Sequence, residues 1–366
     1  AGTKGGFFMR SYKMLVSVML AAGIVAGIGS MNVLADEITF TDDAGREITL
    51  EKPLEKVVVF NKFNSEIIRA VGKVDTIVGV DANTAQDTEY WNGWDDSMVV
   101  ANSQSDIDFE KVAALEPDAV ILPSNGDYEG CISNLESFGI QTIVVTGWQN
   151  NGFDKQIDII GKAFDVEDKA KEYIDFCQDQ VDLLAEKLKD VEPVSVYLEN
   201  SGDYCTCLPG SGWNDMISMG GGVNIFNDID FATSDQSKGS VHSYEVSSEE
   251  IVARNPQAIF INIYDSAAKP GTSIYVAPDP DSMNAALQAV ADRPGWSAID
   301  AVKNGKVYGI SAFAGNGCFK IVGATYIAKY LYPEEMADVD PDDFFKAWLE
   351  DWQGVSYVSG HAAQLQ

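Results

Sequence analysis

The chain holds two imidazoles, His242 and His361, and five thiols, Cys131, Cys177, Cys205, Cys207 and Cys318. Cys205-Thr206-Cys207, with His242 and Cys318 further along, offers sulfur and nitrogen donors suited to a soft metal or a haem iron. The same residues allow a plainer reading, a disulfide between Cys318 and either Cys205 or Cys207. The odd cysteine count leaves at least one thiol unpaired. No cysteine spacing matches a structural zinc site. There is no GxxxxGKS/T, no HExxH and no GxSxG, and the turn Gly210-Ser211-Gly212 lacks the nucleophile-elbow pattern. An enzyme is therefore not expected; a metal-dependent enzyme using the Cys/His set is the alternative of a different class.

Two carboxylates stand out by position. Residues 109–122 read FEKVAALEPDAVIL and residues 248–261 read SEEIVARNPQAIFI. Aligned without gaps, Glu110 meets Glu249, Val112 meets Ile251, Ala114 meets Ala253, Pro117 meets Pro256 and Ala119 meets Ala258. Each copy predicts a short helix, a proline stop and a buried strand. Asp108 and Ser247 take the N-cap positions, and Ser247 with Glu250 makes a capping box. Glu110 and Glu249 then fall in the first helical turn, where the dipole favours a negative charge. A repeated unit in the two halves implies two similar lobes.

Apolar runs at Val57–Phe60, Ile77–Val80, Ala119–Leu122, Thr142–Val145, Val194–Leu198, Ala258–Ile263 and Val307–Ile310 alternate with amphipathic stretches, the pattern of parallel α/β sheets. Residues 166–189 carry Ala170, Tyr173, Ile174, Cys177, Val181, Leu184 and Leu188 at helical spacing. Asp165 is the expected N-cap, and the helix would reach roughly 35 Å. The net charge of −31 excludes a phosphate-tracking, nucleic-acid-binding surface. At the other end, Met9, Arg10 and Lys13 precede an apolar run from Leu15 to Ile28 that closes on Val33-Leu34-Ala35, the pattern of a secretory signal. Residues before Met9 read as a tag remnant. The expected location is periplasmic or extracellular, and in such an oxidising compartment the disulfide is favoured over the metal site.

The opening ITFTDDAGREITLEKPLEKVVVF, the DFEKVAALEPDAVIL block, GGGVNIF at 220–226, VSSEEIVARNPQAIFI, PGWSAIDAVKNGKVYGI at 294–310 and the closing IVGATYIAKYLYPEEM together resemble the helical-backbone (class III) periplasmic solute-binding proteins of iron–siderophore, haem and cobalamin ABC importers. The resemblance implies an α/β fold of two Rossmann-like lobes with mainly parallel sheets, joined by a single long backbone helix. On this chain it gives a tag remnant and signal peptide (1–35), an N-terminal lobe (36–165), the connecting helix (166–190), a C-terminal lobe (191–355) and a tail (356–366). It implies no resident cofactor, a ligand in the inter-lobe cleft, and a monomer that hands this ligand to a permease and its ATPase. The commonest ligand is a ferric siderophore; haem, a corrinoid or an oxyanion such as molybdate are the other choices. Glu110 and Glu249 fall where relatives carry their permease-docking acids.

The cleft is expected to be lined by loops following strand ends. These supply Asn61, Lys62, Phe63, Trp91, Tyr128 and Trp148 from the first lobe, and Tyr204, Trp213, His242, Tyr244, Phe313 and Lys320 from the second. Large aromatic faces suit a bulky chelate. Beyond residue 35 the arginines are Arg46, Arg69, Arg254 and Arg293, and the loop 315–320 lacks the arginine frequent in relatives. Lys62 and Lys320 remain as charge partners for an anionic ligand.

Overall fold

A computed structural model describes residues 37–263 and 273–366. The signal-peptide and tag expectations concern residues 1–35 and lie outside the described residues.

The first half is built on a six-stranded sheet in the order Asp106–Ile107, Val99–Ser103, Ile77–Asp81, Val57–Val59, Ala119–Leu122, Gln141–Val144. All neighbours run parallel except the short Asp106–Ile107 edge. Its central strands are continuous runs of β-branched and aliphatic residues because helices cover both faces; Val57, Val58, Val59, Val120 and Ile121 are all completely buried. The second half repeats the plan with Gly222–Asn224, Val194–Glu199, Ala258–Ile263 and Val307–Ser311, parallel throughout, and Ala362–Gln364 antiparallel at the edge. The stretch read as a tail thus ends in a strand paired with Val307–Ser311. His361 anchors it, buried, with Nδ1 2.7 Å from Ser311 Oγ and Nε2 3.0 Å from the carbonyl of Tyr275.

The internal repeat is structural. Helices Phe109–Ala114 and Ser248–Arg254 lead into strands Ala119–Leu122 and Ala258–Ile263. Asp108 and Ser247 accept from the amides of Lys111 and Glu250 at 3.0 and 3.1 Å. Glu116 and Asn255, aligned in the repeat, both turn left-handed at φ 50° and 45° just before the prolines. Only half of the expected capping box forms, because the Glu250 carboxylate takes Arg254 instead.

The long helix spans Glu167–Leu188. Asp165 does not cap it: that residue sits left-handed at φ 54° after the preceding helix Phe153–Ala163, and Val166 occupies the cap without a side-chain bond. Gly161 of the preceding helix lets the two helices touch, since a Cβ there would lie 2.5 Å from that of Ala170. Further along, the long helix faces the second half: Tyr173 accepts from Trp348 at 3.1 Å and Gln180 donates to Thr325 at 3.1 Å.

The halves also meet away from this helix. The Arg69 guanidinium packs on the rings of both Tyr90 and Trp91, 4.1 and 3.9 Å from their centroids, and donates to Gln353 at 2.9 Å. Tyr90 packs edge-on against Phe313 at 5.0 Å. One apolar core therefore runs through both halves.

Candidate ligand cleft

Three helices begin at one place. Lys62–Ala70 comes from the first half, Gly212–Met219 and Ile321–Leu331 from the second. Their caps, Asn61, Ser211 and Lys320, are followed or accompanied by Phe63, Gly212 and Trp213 at the wall of a cavity of ≈ 280 Å³. Gln104, Asn125, Trp148, His242 and Asn316 complete the wall. An adjoining cavity of ≈ 380 Å³ shares Asn125, Trp148, Gly212 and His242 and adds Gln149, Asn150 and Asp215. The halves bond across this space: Asn150 Nδ2 donates to the Gly212 carbonyl at 3.0 Å and Asn151 Nδ2 to Asp215 Oδ2 at 2.8 Å.

Backbone strain sets the geometry on both sides. Asn61 is held at φ 77° while its amide donates to Asp81 at 2.7 Å and its side chain accepts from Phe63 N–H at 3.1 Å. Opposite it, Cys318, Phe319 and Lys320 are three successive left-handed residues, at φ 47°, 55° and 66°. Each such non-glycine residue costs on the order of 1–2 kcal/mol, and strain of this kind gathers at binding sites. The turn brings Lys320 into the cavity wall, 5 % exposed, with its ammonium 4.8 Å from the Trp213 ring and 5.8 Å from the Phe63 ring. Among the described residues that ammonium has neither a hydrogen bond nor an ion pair. Desolvation, reinforced by the charge of Lys62, brings its pKa down to about 8, against the opposing pull of Asp215 and Glu66.

The other polar groups are mostly neutral. Asn61 Nδ2 donates to Gln104 Oε1 at 2.8 Å, and Gln104 Nε2 donates to Asn125 Oδ1 at 2.8 Å, a relay of fixed amides along the first-half wall. Asn64 holds the turn carrying Trp148 by accepting from Gly147 N–H at 3.0 Å, and a Cβ on Gly147 would lie 2.6 Å from that oxygen. His242 Nδ1 lies 3.0 Å from Ser211 Oγ, and desolvation followed by the Lys320 charge lowers its pKa. Ser211 itself is fully buried and accepts from Trp213 N–H at 3.3 Å, so its hydroxyl serves as a helix cap. Burial raises Asp215, with Lys320 pulling the other way.

Of the residues expected in the cleft, Asn61, Phe63, Trp148, Trp213, His242 and Lys320 come together here. Lys62 lies behind the wall, with its ammonium 5.0 Å from the Phe63 ring and 5.7 Å from Phe313. The remaining aromatics turn elsewhere. Phe313 is buried in the core that joins the halves, and Trp91 is stacked on Trp94 at 4.5 Å beside a separate cavity of ≈ 460 Å³. Tyr204 lines another, of ≈ 540 Å³, beside Arg293. Tyr244 is buried in a second-half core, and Tyr128 packs on a first-half core below the Arg46 guanidinium. These rings follow strand ends as expected, but burying an aromatic face outweighs exposing it to the cleft.

The Cys/His set does not assemble. Among the described residues no three His, Cys, Asp or Glu side chains are grouped to hold a metal. Cys207 is buried with its sulfur 3.7 Å from Asn224 Nδ2, and His242 is committed to Ser211. Nor does Cys318 face Cys205 or Cys207, as the expected link would require: its Sγ lies 3.4 Å from that of Cys177 on the long helix. Gln104 escaped the sequence reading because it lies in the turn after strand Val99–Ser103, which turns polar after Ala101 and shows no apolar run.

The model of the periplasmic binding protein family matches residues 57–312. The chain belongs to that family. Among relatives of this periplasmic binding protein, the uncharacterized ABC transporter substrate-binding lipoprotein YvrC of Bacillus subtilis is 27 % identical over 87 % of this chain and 96 % of its own length. The petrobactin-binding protein YclQ of the same species is 25 % identical over 82 % and 90 %. The molybdate-binding protein MolA of Haemophilus influenzae is 22 % identical over 96 % of this chain and all of its own. The solved structure of MolA with molybdate superposes with a TM-score of 0.68 at 20 % identity, over 87 % and 98 % of the two chains, and shares the two-lobed fold. These relatives are transport binding proteins by name. No helix of the described residues is long and apolar enough to cross a membrane.

Proposed function

We propose that this periplasmic binding protein captures an anionic metal complex in the cleft between its halves and delivers it to an ABC importer. The observation that carries the reading is Lys320: a side chain only 5 % exposed, whose ammonium has no partner among the described residues, in a cavity wall where three helices also begin. Helix N-termini and an ammonium favour a negative charge together. Trp148, Phe63 and Trp213 supply apolar faces, and the amide relay supplies oriented donors and acceptors.

A ferric siderophore fits this chemistry, with an anionic oxygen on Lys320 and its organic body against the rings; the named ligand of YclQ supports it. A molybdate-type oxyanion is the second reading, favoured by the modest cavity volumes of ≈ 280 and ≈ 380 Å³ and by the likeness to MolA over nearly the whole chain. A corrinoid, larger than the drug-sized ligands such cavities suit, fits less well. Glu110 and Glu249 are exposed at equivalent places of the repeat and, among the described residues, carry no ion pair, which leaves them for the arginines of a permease.

The test is titration of the purified protein with ferric siderophores and with molybdate, followed by tryptophan fluorescence and by metal analysis of the bound fraction. Saturable one-to-one binding of either class supports the reading. Tight binding of a neutral or cationic solute, with no response to either anion class, would refute it.

A further inference from the structure

The turn that places Lys320 is strained at three successive residues, so something must hold it. Its first residue, Cys318, is buried and points away from the cleft, toward the long helix. There its sulfur lies 3.4 Å from that of Cys177, and the two residues are 141 positions apart in the chain. Tyr173 Oη, 3.9 Å from Cys318 Sγ and fixed by Trp348, closes the surroundings. Both thiols are almost completely shut off from solvent. Two cysteines from distant parts of the chain, placed sulfur to sulfur inside an apolar core, are positioned for one reaction.

We propose that Cys177 and Cys318 are oxidised to a disulfide in the mature protein, stapling the long helix to the turn that presents Lys320. The reaction is thiol–disulfide exchange with an extracytoplasmic disulfide, either a small-molecule disulfide or the active-site disulfide of an oxidoreductase. One cysteine thiolate attacks the donor's disulfide, forming a mixed disulfide and releasing one donor thiol. The second cysteine then attacks the sulfur of the first, forming the Cys177–Cys318 bond and releasing the second donor thiol. Two electrons and two protons pass from the protein thiols to the donor.

Burial raises the Cys177 thiol well above the ordinary thiol range, so the thiolate needed for attack is scarce once the helix has docked. The exchange therefore belongs to folding, before the core closes, and the same burial afterwards protects the bond from reductant. A cross-link closing so long a loop restricts the unfolded chain strongly, and it also fixes the left-handed turn from behind.

The test uses the full chain exported to an oxidising periplasm and purified without reductant. The protein is denatured in alkylating reagent, digested and analysed by mass spectrometry. The expected result is one cross-linked species joining the Cys177 and Cys318 peptides, two hydrogens lighter than their sum, with Cys131, Cys205 and Cys207 alkylated. Reduction should also lower the thermal midpoint by roughly 5–10 °C, and this drop should be absent in Cys177→Ser. Recovery of Cys177 and Cys318 both alkylated, or of Cys318 cross-linked to Cys205 or Cys207, overturns the proposal. A cross-link whose reduction leaves the midpoint unmoved overturns the stapling role. The alkylation assay on the unsubstituted chain stands even if the serine variant fails to fold.

Discussion

Asn61 and Lys320 face one cavity from opposite halves, each a non-glycine residue at positive φ, 77° and 66°, at the N-cap of the helix that follows it. The two differ in how their side chains are used. Asn61 spends its oxygen on its own helix and its nitrogen on Gln104, so it is a fixed wall. Lys320 bonds to nothing among the described residues. Desolvation disfavours the charged ammonium in the empty protein, and an anion in the cleft offsets that cost.

Lys320→Met keeps the length and removes the charge. Binding of the anionic ligand should weaken by roughly 10- to 100-fold, equivalent to about 1.5–3 kcal/mol for a charged hydrogen bond. Stability of the unliganded protein should hold or rise, because a desolvated charge is gone. Equilibrium titration and thermal melts of both proteins check this. In the unsubstituted protein the native Lys320 loses its proton near pH 8, so affinity should fall above that pH, with at most a tenfold loss per unit, and this dependence should vanish in the variant. A variant that binds as tightly as the parent would remove Lys320 from the site.

His361 gives a second pH signature. Burial holds its pKa at about 4 in the folded protein, despite the bond to the Tyr275 carbonyl and the charge of Asp342, against 6.5 when exposed. The unfolded chain therefore binds the extra proton first as pH falls. Stability is full above pH 6.5 and declines between 6.5 and about 4, by roughly 3 kcal/mol in total. In His361→Gln, which keeps the capacity to bond Ser311 and Tyr275, this portion of the acid destabilisation should disappear. Urea unfolding of both proteins at several pH values across that window measures it; parallel pH dependence would show that His361 does not titrate on unfolding.

Much of this architecture was legible from residue pattern. Buried parallel strands such as Val57–Val59 and Ala258–Ile263 are uninterrupted apolar runs, and the long helix shows its stripe because only one face packs. The repeat was readable to the level of its caps, Asp108 and Ser247. What escaped depends on direction. Nothing in the sequence distinguishes Trp213, which reaches the cavity, from Tyr90, Trp91 or Phe313, which fill the joint between the halves. The stripe placed Cys177 in the core, but its neighbour Cys318 follows from three left-handed residues that no local signal announces, since none is glycine. Edge strand Ala362–Gln364 is small and polar, and only its pairing with Val307–Ser311 makes it a strand.

The exposed repeat carboxylates should separate delivery from capture. Replacing Glu110 and Glu249 together by Ala should leave ligand affinity and melting temperature within experimental error, because both side chains are exposed and without ion pairs among the described residues. Uptake through the reconstituted permease and ATPase should fall at least tenfold, with each single variant intermediate. Loss of binding in step with uptake would place these residues in folding or in the cleft instead of at the transporter.

The contact between Gly161 and Ala170 tests how the long helix is seated. Alanine is the better helix former by about 1 kcal/mol, so on a free helix face Gly161→Ala would stabilise. Here the new methyl would lie 2.5 Å from the Ala170 Cβ, with the Glu167 backbone 3.5 Å away, and neither neighbour is a flexible side-chain end. The helices must separate, and overpacking of this kind costs about 1–3 kcal/mol, enough to cancel or exceed the propensity gain. Chemical denaturation of Gly161→Ala should therefore show a net loss of up to about 2 kcal/mol. Adding Ala170→Gly removes the clash, so the double variant should be more stable than the sum of the two single changes predicts, a coupling that measures the contact directly. Simple additivity would mean that the long helix does not rest on Gly161.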